Sequence, residues 1–277
     1  MTSLKRQLIF INKVMINGVN IVILEENRMI DIHAHILPGI DDGAADMYDT
    51  LEMARMAVDS GVTAVVATSH SNIPGMFRNY YSEDYIELFR RTEQALEEEG
   101  IPLTLYPGME VFVTPDVPQL LKEGKLLTIN GGRFMLMEFD FGEEASYIQS
   151  MLREISLLGI HPVIAHPERY ECVQRDPQLV YYWRKKGYLA QVNKGSLVGR
   201  FGRHSYDTAH RLLRHNLVSV IASDAHSPYQ RTPYMLDVYE SLRDEYPRKY
   251  LKVLFEENPR RICQNQPTIR FELKPFD

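Results

Sequence analysis

Residues 31–43 read DIHAHILPGIDDG, with His33 and His35 two apart and Asp41 and Asp42 a short loop beyond. Successive side chains of a strand point to opposite faces, so the two imidazoles share one face if this stretch ends a strand. Imidazoles followed by carboxylates can begin a metal site, or can be ordinary polar residues where a strand runs out. The rest of the chain decides between these readings by supplying further ligands or failing to.

Strand-like apolar runs alternate with helix-period segments along the chain. MIDIHAH (29–35) precedes 46–60, where Met47, Leu51, Ala54 and Val58 follow a helical period that Gly61 stops. VTAVVATSH (62–70) leads to a charged helix over about 82–99, and LTLYPGMEV (103–111), RFMLMEF (133–139), IHPVIAH (160–166), YLAQVN (188–193) and LVSVIASDAH (217–226) continue the series. Ile148, Leu152 and Ile155 give one of the intervening helices its period, and Gly159 ends it. Seven apolar strands with helical crossovers predict a parallel sheet covered by helices. A closed or nearly closed (β/α) barrel is the first expectation, with an open doubly wound sheet as the alternative. No composition shift or internal repeat divides the chain.

The polar residues fall at the ends of these strands: His33 and His35, His70, Glu110, Glu138, His166, and Asp224 with His226. In a βα barrel those ends converge on the face that holds the active site. Taken singly, each has a plain reading: a hydrogen-bonded scaffold histidine, an ion-paired glutamate, or a helix cap at Asp224. Taken together, eight such residues at strand ends argue for one cleft, joined from the first loop by Asp41 or Asp42. His161, His204, His210 and His215 lie at a strand start or on helices and read as structural or surface residues. All the candidate donors are imidazole or carboxylate, which suits Mn²⁺, Zn²⁺ or Fe²⁺ and disfavours a cysteine-built zinc site. Eight or nine donors exceed what one ion with open positions needs, so two or three ions are expected.

AHPERY (165–170) adds Arg169 in the loop above these residues, and Arg231 lies five residues beyond His226. A guanidinium matches phosphate oxygens and stays charged. Arg169 is the better placed; Arg231 either joins it or is surface charge. Metals with arginine over a cleft suggest phosphoryl hydrolysis. Covalent routes lack their motifs: the sixth residue after Cys172 is Gln178 and after Cys263 is Ile269, where a cysteine phosphatase needs arginine. Neither a GxxxxGK[ST] loop nor a GxSxG elbow occurs.

Composition agrees with this class. The 277 residues, 44% hydrophobic and 25% charged, suit a soluble globular chain, and the net charge of −6 argues against nucleic acid as partner. Two cysteines without a CxxC pair suit a reducing cytoplasm. The basic and apolar stretch KRQLIFINKVMINGVNIVIL (5–24) is interrupted by Asn12, Lys13, Asn17 and Asn20, so it is too broken for a signal peptide or membrane span. Residues 1–28 read as an N-terminal extension, a hairpin or an upstream start, with the catalytic fold over 29–264 and an irregular tail over 265–277.

The ordered set MIDIHAHILPGIDDGA, VVATSH, PGMEVFVTPDV, LMEFDF, VIAHPERY, QVNKGSLVGRFG, VIASDAHS and ENPRRI resembles the PHP (polymerase and histidinol phosphatase) superfamily. More narrowly, AHPER with SLVGRFG is similar to the bacterial metal-dependent protein-tyrosine phosphatases of capsule and exopolysaccharide loci. The resemblance implies a distorted (β/α)7 barrel of the TIM type, single-domain, with a trinuclear centre. It puts His33, His35, Glu110 and Asp224 on one metal, Glu110 bridging to a second held by Glu138 and His166, and Asp42, His70 and His226 on a third. It selects Asp42 over Asp41, which is left without a role. Arg169 and Arg231 become phosphate-binding residues, and Asp31 either orients a ligand or pairs with an arginine. Mn²⁺ is the implied cofactor, with Fe²⁺, Zn²⁺ or Co²⁺ as alternatives. The implied reaction is hydrolysis of phosphotyrosine by a metal-bridging hydroxide, without a phosphoenzyme. The implied substrate is the tyrosine-rich tail of a membrane-associated bacterial kinase that controls polysaccharide export. The alternatives are a small-molecule phosphatase acting on histidinol phosphate or a sugar phosphate, and a catalytically silent PHP scaffold. Two segments depart from the pattern: residues 1–28, and the loop SNIPGMFRNYY (71–81), which bears on substrate choice.

Overall fold

The computed structural model describes the backbone of residues 10–16 and 19–25 and all of residues 28–276. Strands β1 (Phe10–Ile16) and β2 (Val19–Glu25) pair antiparallel in a ladder of their own. The expected extension over 1–28 thus falls partly outside the described residues.

From Met29 onward the strands are parallel. β3 (Met29–Ala34) pairs with β4 (Val62–Ala67). The strand of β4 resumes as β5 (His70–Ser71), and its neighbour is likewise split into β6 (Thr104–Pro107) and β7 (Glu110–Phe112). β4 pairs with β6 and β5 with β7, so both strands break side by side. The ladder continues from β7 through β8 (Phe134–Glu138), β9 (His161–Ala165) and β10 (Leu189–Asn193) to β11 (Val220–Ala222). It closes onto β3 just beyond β11: Asp224 N–H donates to the His33 carbonyl and His35 N–H to the Ala225 carbonyl, each at 2.8 Å. The result is a seven-stranded barrel, distorted at the paired breaks, and not an open sheet. His70 and Glu110 consequently begin short second segments instead of ending uninterrupted strands.

Helices α1 (Met47–Asp59), α2 (Glu83–Glu98), α3 (Val117–Lys122), α4 (Ala145–Leu157), α5 (Glu171–Arg175), α6 (Gln178–Lys185), α7 (Lys194–Leu197), α8 (Gly202–Arg214), α9 (Leu236–Leu242), α10 (Arg248–Lys252) and α11 (Asn258–Cys263) connect the strands or cap the barrel. Asp46 caps α1 by accepting from Asp49 N–H, and Gly61 beyond its end has φ +88°, a conformation that favours glycine. The buried stripe of α1 is Thr50, Met53, Ala54 and Ala57, one step round from the periodic set in the sequence. Thr50 is admitted because its hydroxyl donates to the Ile36 carbonyl at 2.8 Å. Ile148, Leu152 and Ile155 are buried on α4 as their spacing predicts.

Alternation along the strands explains where the polar ends go. Ile30, Ile32, Ala64, Val66, Phe134, Leu136, Val163, Ala165, Leu189, Val220 and Ala222 form one apolar cluster that plugs the barrel. Two residues on from this plug, the same faces of β8, β10 and the β11 strand present Glu138, Gln191 and Asp224. In β3 the register shifts between Asp31 and Ala34, a bulge that lets His33 face inward although Ile32 does so too. Asp31 is buried there; its Oδ1 accepts from His33 N–H at 3.2 Å and Ser223 N–H at 3.0 Å, tying β3 to the β11 strand. An arginine, one of the two alternatives for Asp31, is not among these hydrogen-bond partners.

The paired strand break is held by Tyr85, whose hydroxyl donates to the Gly108 carbonyl at 2.7 Å. A side chain at position 108 would meet Val66 Cγ1 at 2.7 Å, which explains the glycine. Tyr85→Phe leaves that carbonyl buried and unpaired, so it is expected to lower stability by about 1–3 kcal/mol. The shift in urea midpoint at constant m reads this directly, and an unchanged midpoint means that Tyr85 does not hold the break.

Candidate metal centre

The strand ends bring all nine expected donors into one cleft. Glu110, buried completely, is their hub. Its Oε1 lies 3.1 Å from His33 Nε2 and 3.0 Å from His166 Nε2; its Oε2 lies 3.2 Å from His35 Nε2 and 3.1 Å from His70 Nδ1. Asp224 Oδ1 faces His33 Nε2 at 3.3 Å, His35 Nε2 at 3.5 Å and His226 Nδ1 at 3.6 Å. Glu138 lies 3.5 Å from His166 Nε2 and 3.6 Å from His70 Nδ1. Asp42, the one exposed member, is 3.6 Å from both His70 Nε2 and His226 Nε2.

Donor atoms within 4.8 Å of one another fall into three groups: His33, His35, Glu110 and Asp224; His35, Asp42, His70 and His226; and His70, Glu110 and Glu138. His166 presents Nε2 to the two carboxylates of the last group. His70 stands between two groups, Nε2 toward Asp42 and Nδ1 toward the glutamates.

The electrostatics show why such a set asks for cations. Burial resists protonation of His33 and His35, but their carboxylate neighbours outweigh it and raise both above the ordinary histidine range. Burial would raise Glu110 and Asp224, yet the surrounding imidazoles hold both well below the usual carboxylate range. Glu138 is pushed far up by burial and by the charges of Glu110 and Asp224. Burial lowers His166 to about 4, and burial with the neighbouring His35 lowers His226 to about 2. His70 Nδ1, Glu110 Oε2, Asp224 Oδ1 and His226 Nε2 are among the twelve buried side-chain atoms of the described residues that have no hydrogen-bond partner. Buried polar atoms are otherwise nearly always paired. Convergent lone pairs with no protein donor, all from imidazole or carboxylate, fit divalent cations.

Beside the donors stand both arginines. Asp224 Oδ2 lies 2.5 Å from Arg231 Nη2 and 3.6 Å from Arg169 Nη1. The Arg169 guanidinium packs 4.3 Å from the Phe141 ring centroid and 4.4 Å from that of Phe201, which holds its plane by cation–π contact. Arg231 also approaches Phe201, at 5.5 Å. Phe77, from the 71–81 loop, lies parallel to the His70 ring with centroids 5.9 Å apart. These phenylalanines went unmarked in the sequence, although Phe141 and Phe201 both lie in recognised motifs.

Asp41 corrects the sequence reading, which left it without a role. Its Oδ2 lies 2.8 Å from His35 Nδ1 and accepts from His70 N–H at 2.8 Å; its Oδ1 accepts from Gly43 N–H at 3.0 Å. Engaging Nδ1 leaves His35 Nε2 to face the donor cluster. A side chain at Gly43 would overlap the His35 carbonyl and come within 2.9 Å of Asp41 Oδ1. Two acids in sequence therefore divide the work, Asp42 reaching over the cleft and Asp41 bracing a histidine from behind.

A seven-stranded parallel barrel with clustered imidazoles and carboxylates at its mouth defines a metal-dependent hydrolase. Residues 29–264 match the family described as capsular polysaccharide synthesis, CpsB/CapC, and the chain belongs to that family. It is 36% identical to the tyrosine-protein phosphatase YwqE of Bacillus subtilis over 89% of its length and 96% of that protein. The tyrosine-protein phosphatase CpsB of Streptococcus pneumoniae is 32% identical, over 86% of this chain and 99% of that one. A crystal structure from work on YwqE and CpsB, described as unique metal-dependent tyrosine phosphatases, superposes with a TM-score of 0.84 at 36% identity, covering 90% of this chain and 100% of that one. The phosphotriesterase homology protein of Escherichia coli shares the fold alone, with a TM-score of 0.56 at 12% identity over 85% of this chain and 98% of that one.

Asp41→Asn removes the charge behind His35 while keeping the side chain's shape. It is expected to weaken divalent-cation binding about 10–100-fold. Isothermal titration of the metal-free protein with Mn²⁺ measures this, and wild-type affinity in the variant removes Asp41 from the site.

Proposed function

We propose that the chain is a metal-dependent protein-tyrosine phosphatase of capsular polysaccharide synthesis. The carrying observation is the meeting, on the two oxygens of Asp224, of the metal-donor cluster and an arginine pair. His33, His35, Glu110 and Asp224 would hold one ion; Glu110, Glu138 and His166 a second; Asp42, His70 and His226 a third. Mn²⁺ is the cofactor that the family resemblance implies, and a donor set of nitrogen and oxygen alone suits it as it suits Fe²⁺, Zn²⁺ or Co²⁺. Bound cations would supply a water of lowered pKa as nucleophile and polarise the phosphoryl group.

The chain's own residues supply position and charge. Arg169 and Arg231 bind the phosphoryl oxygens, Asp224 holding both guanidinia at one point. Phe141, 38% exposed, offers an apolar edge for the tyrosyl ring beside Arg169. A phenolate with pKa about 10 is a moderate leaving group, so less assistance is required than for an alkoxide. Neither cysteine is suited to be a nucleophile. Both are buried, and burial raises Cys172 and pushes Cys263 up to about 12.

The substrate is a phosphotyrosine-bearing protein, the tail of a membrane-associated tyrosine kinase, met in the cytoplasm. No described helix is long and apolar enough to cross a membrane. Residues 1–28 are an appendage to the catalytic barrel, and their deletion leaves a folded enzyme on this reading.

Phosphate release from phosphotyrosyl peptides and from histidinol phosphate, with and without Mn²⁺, is the deciding experiment. The expected result is metal-dependent turnover favouring the peptides. Absence of turnover with every divalent cation overturns the enzyme reading, and preference for histidinol phosphate replaces the substrate class. Arg169→Ala is expected to lower kcat/KM about 10²–10³-fold, whereas Cys172→Ser retains the wild-type rate. An inactive Cys172→Ser that remains folded contradicts a mechanism without a covalent intermediate.

A further inference from the structure

We infer that Gln191 and Asn193 are positioning residues that fix the tautomer of His33, keeping its proton on Nδ1 and turning the bare Nε2 to the cation. This rests on the metal reading above. The observation is a chain of three hydrogen bonds through four side chains. His33 Nδ1 lies 2.9 Å from Gln191 Oε1, Gln191 Nε2 donates to Asn193 Oδ1 at 2.7 Å, and Asn193 Nδ2 donates to Asp224 Oδ2 at 2.5 Å. Asp224 Oδ1 stands 3.3 Å from His33 Nε2, so the two ends of the chain face one point. All four residues are at most 1% exposed, so none of these groups has water as an alternative partner.

The direction of the chain follows from its fixed ends. An ionised carboxylate only accepts, and Asp224 is flanked by two guanidinia, so Asn193 must offer it the NH₂ group. The Asn193 oxygen then faces Gln191, which must donate to it. A second anchor agrees independently: the backbone N–H of His166, which only donates, points at Gln191 Oε1 at 3.3 Å. Gln191 therefore offers His33 an oxygen, and the shared proton belongs to His33 Nδ1. The charge on one ligand thus sets the tautomer of another through two amides.

Burying two amides is costly unless they are hydrogen-bonded. Leu189, Gln191 and Asn193 occupy one face of β10, so the apolar plug gives way to amides at the level where the metal donors begin. A merely structural pair would stabilise the barrel without regard to the state of His33.

The test uses Zn²⁺, a diamagnetic probe, and the full chain. Titration calorimetry is expected to show Zn²⁺ uptake, and long-range ¹H–¹⁵N spectra of the Zn²⁺-loaded wild-type protein to show His33 protonated at Nδ1 and not at Nε2. Gln191→Met, similar in size but unable to accept or donate in the same way, is expected to bind Zn²⁺ about 10–100-fold more weakly. Gln191→Glu, which still accepts from His33, should retain the Nδ1–H signal. A Zn²⁺-loaded wild-type protein in which His33 carries its proton on Nε2 and not on Nδ1 overturns the proposal whether or not any variant folds. Wild-type Zn²⁺ affinity in folded Gln191→Met overturns it as well. A wild-type protein that takes up no divalent cation overturns the metal reading itself, and the relay with it.

Discussion

The carboxylate of Glu110 has two imidazole nitrogens against each of its oxygens, all between 3.0 and 3.2 Å away, in a place no solvent reaches. Isolated charges are costly to bury, and mutual attraction offsets the desolvation only when the geometry is good. The neighbouring features follow from that constraint. Glu110 reaches the hub because its strand breaks at Gly108 and resumes, and the partner strand breaks beside it so that His70 arrives at the same level. Beneath lies the apolar plug, which stops the donors from sinking into the barrel. Glu138, surplus to the local balance of charge, is forced toward its neutral form in the absence of cations.

The backbone at the mouth is correspondingly unrelaxed. His166, Asp224 and Arg231 have φ of 32°, 52° and 50°, values uncommon for residues with a Cβ. Such conformations cost of the order of 1–3 kcal/mol each and persist only where the surroundings over-determine them. Here the surroundings are main-chain bonds: Arg169 N–H to the His166 carbonyl at 2.9 Å, Asp224 N–H to His33 at 2.8 Å, and His226 N–H to Arg231 at 2.9 Å. A candidate metal donor and an arginine are thereby tied to each other through peptide groups as well as through side chains.

What could be read from the linear chain divides along physical lines. Strand number and order were legible because each apolar run is bounded by turn residues and separated by helix-period segments. The polar residues at the ends were legible because periodicity stops there. The strand breaks were not, since nothing local to Thr68–Ser69 or Gly108–Met109 distinguishes an interruption from a strand end. Nor was the face of α1, where a threonine enters the core by bonding to Ile36. Asp41 illustrates the deeper limit. Whether an acid reaches over a cleft or braces a histidine from behind depends on the path of one loop, and adjacent identical residues carry no mark of it. Gln191 and Asn193 were hidden for a similar reason, because an amide shows its purpose only through what lies across the barrel from it.

The seam between β3 and the β11 strand has a bearing on how the molecule assembles. Asp31 meets Ser223 N–H across 192 positions of sequence, and the His33 carbonyl meets Asp224 N–H across nearly as many. Contacts this distant repay the entropy of loop closure only late in folding. The seam also lies between His33 and His35 on one side and Asp224 and His226 on the other. A partly folded chain, however complete its helices, therefore holds only fragments of the donor set. Cations held by the proposed set would favour the closed barrel over such fragments, and metal supply would then bear on maturation of the protein as well as on its turnover.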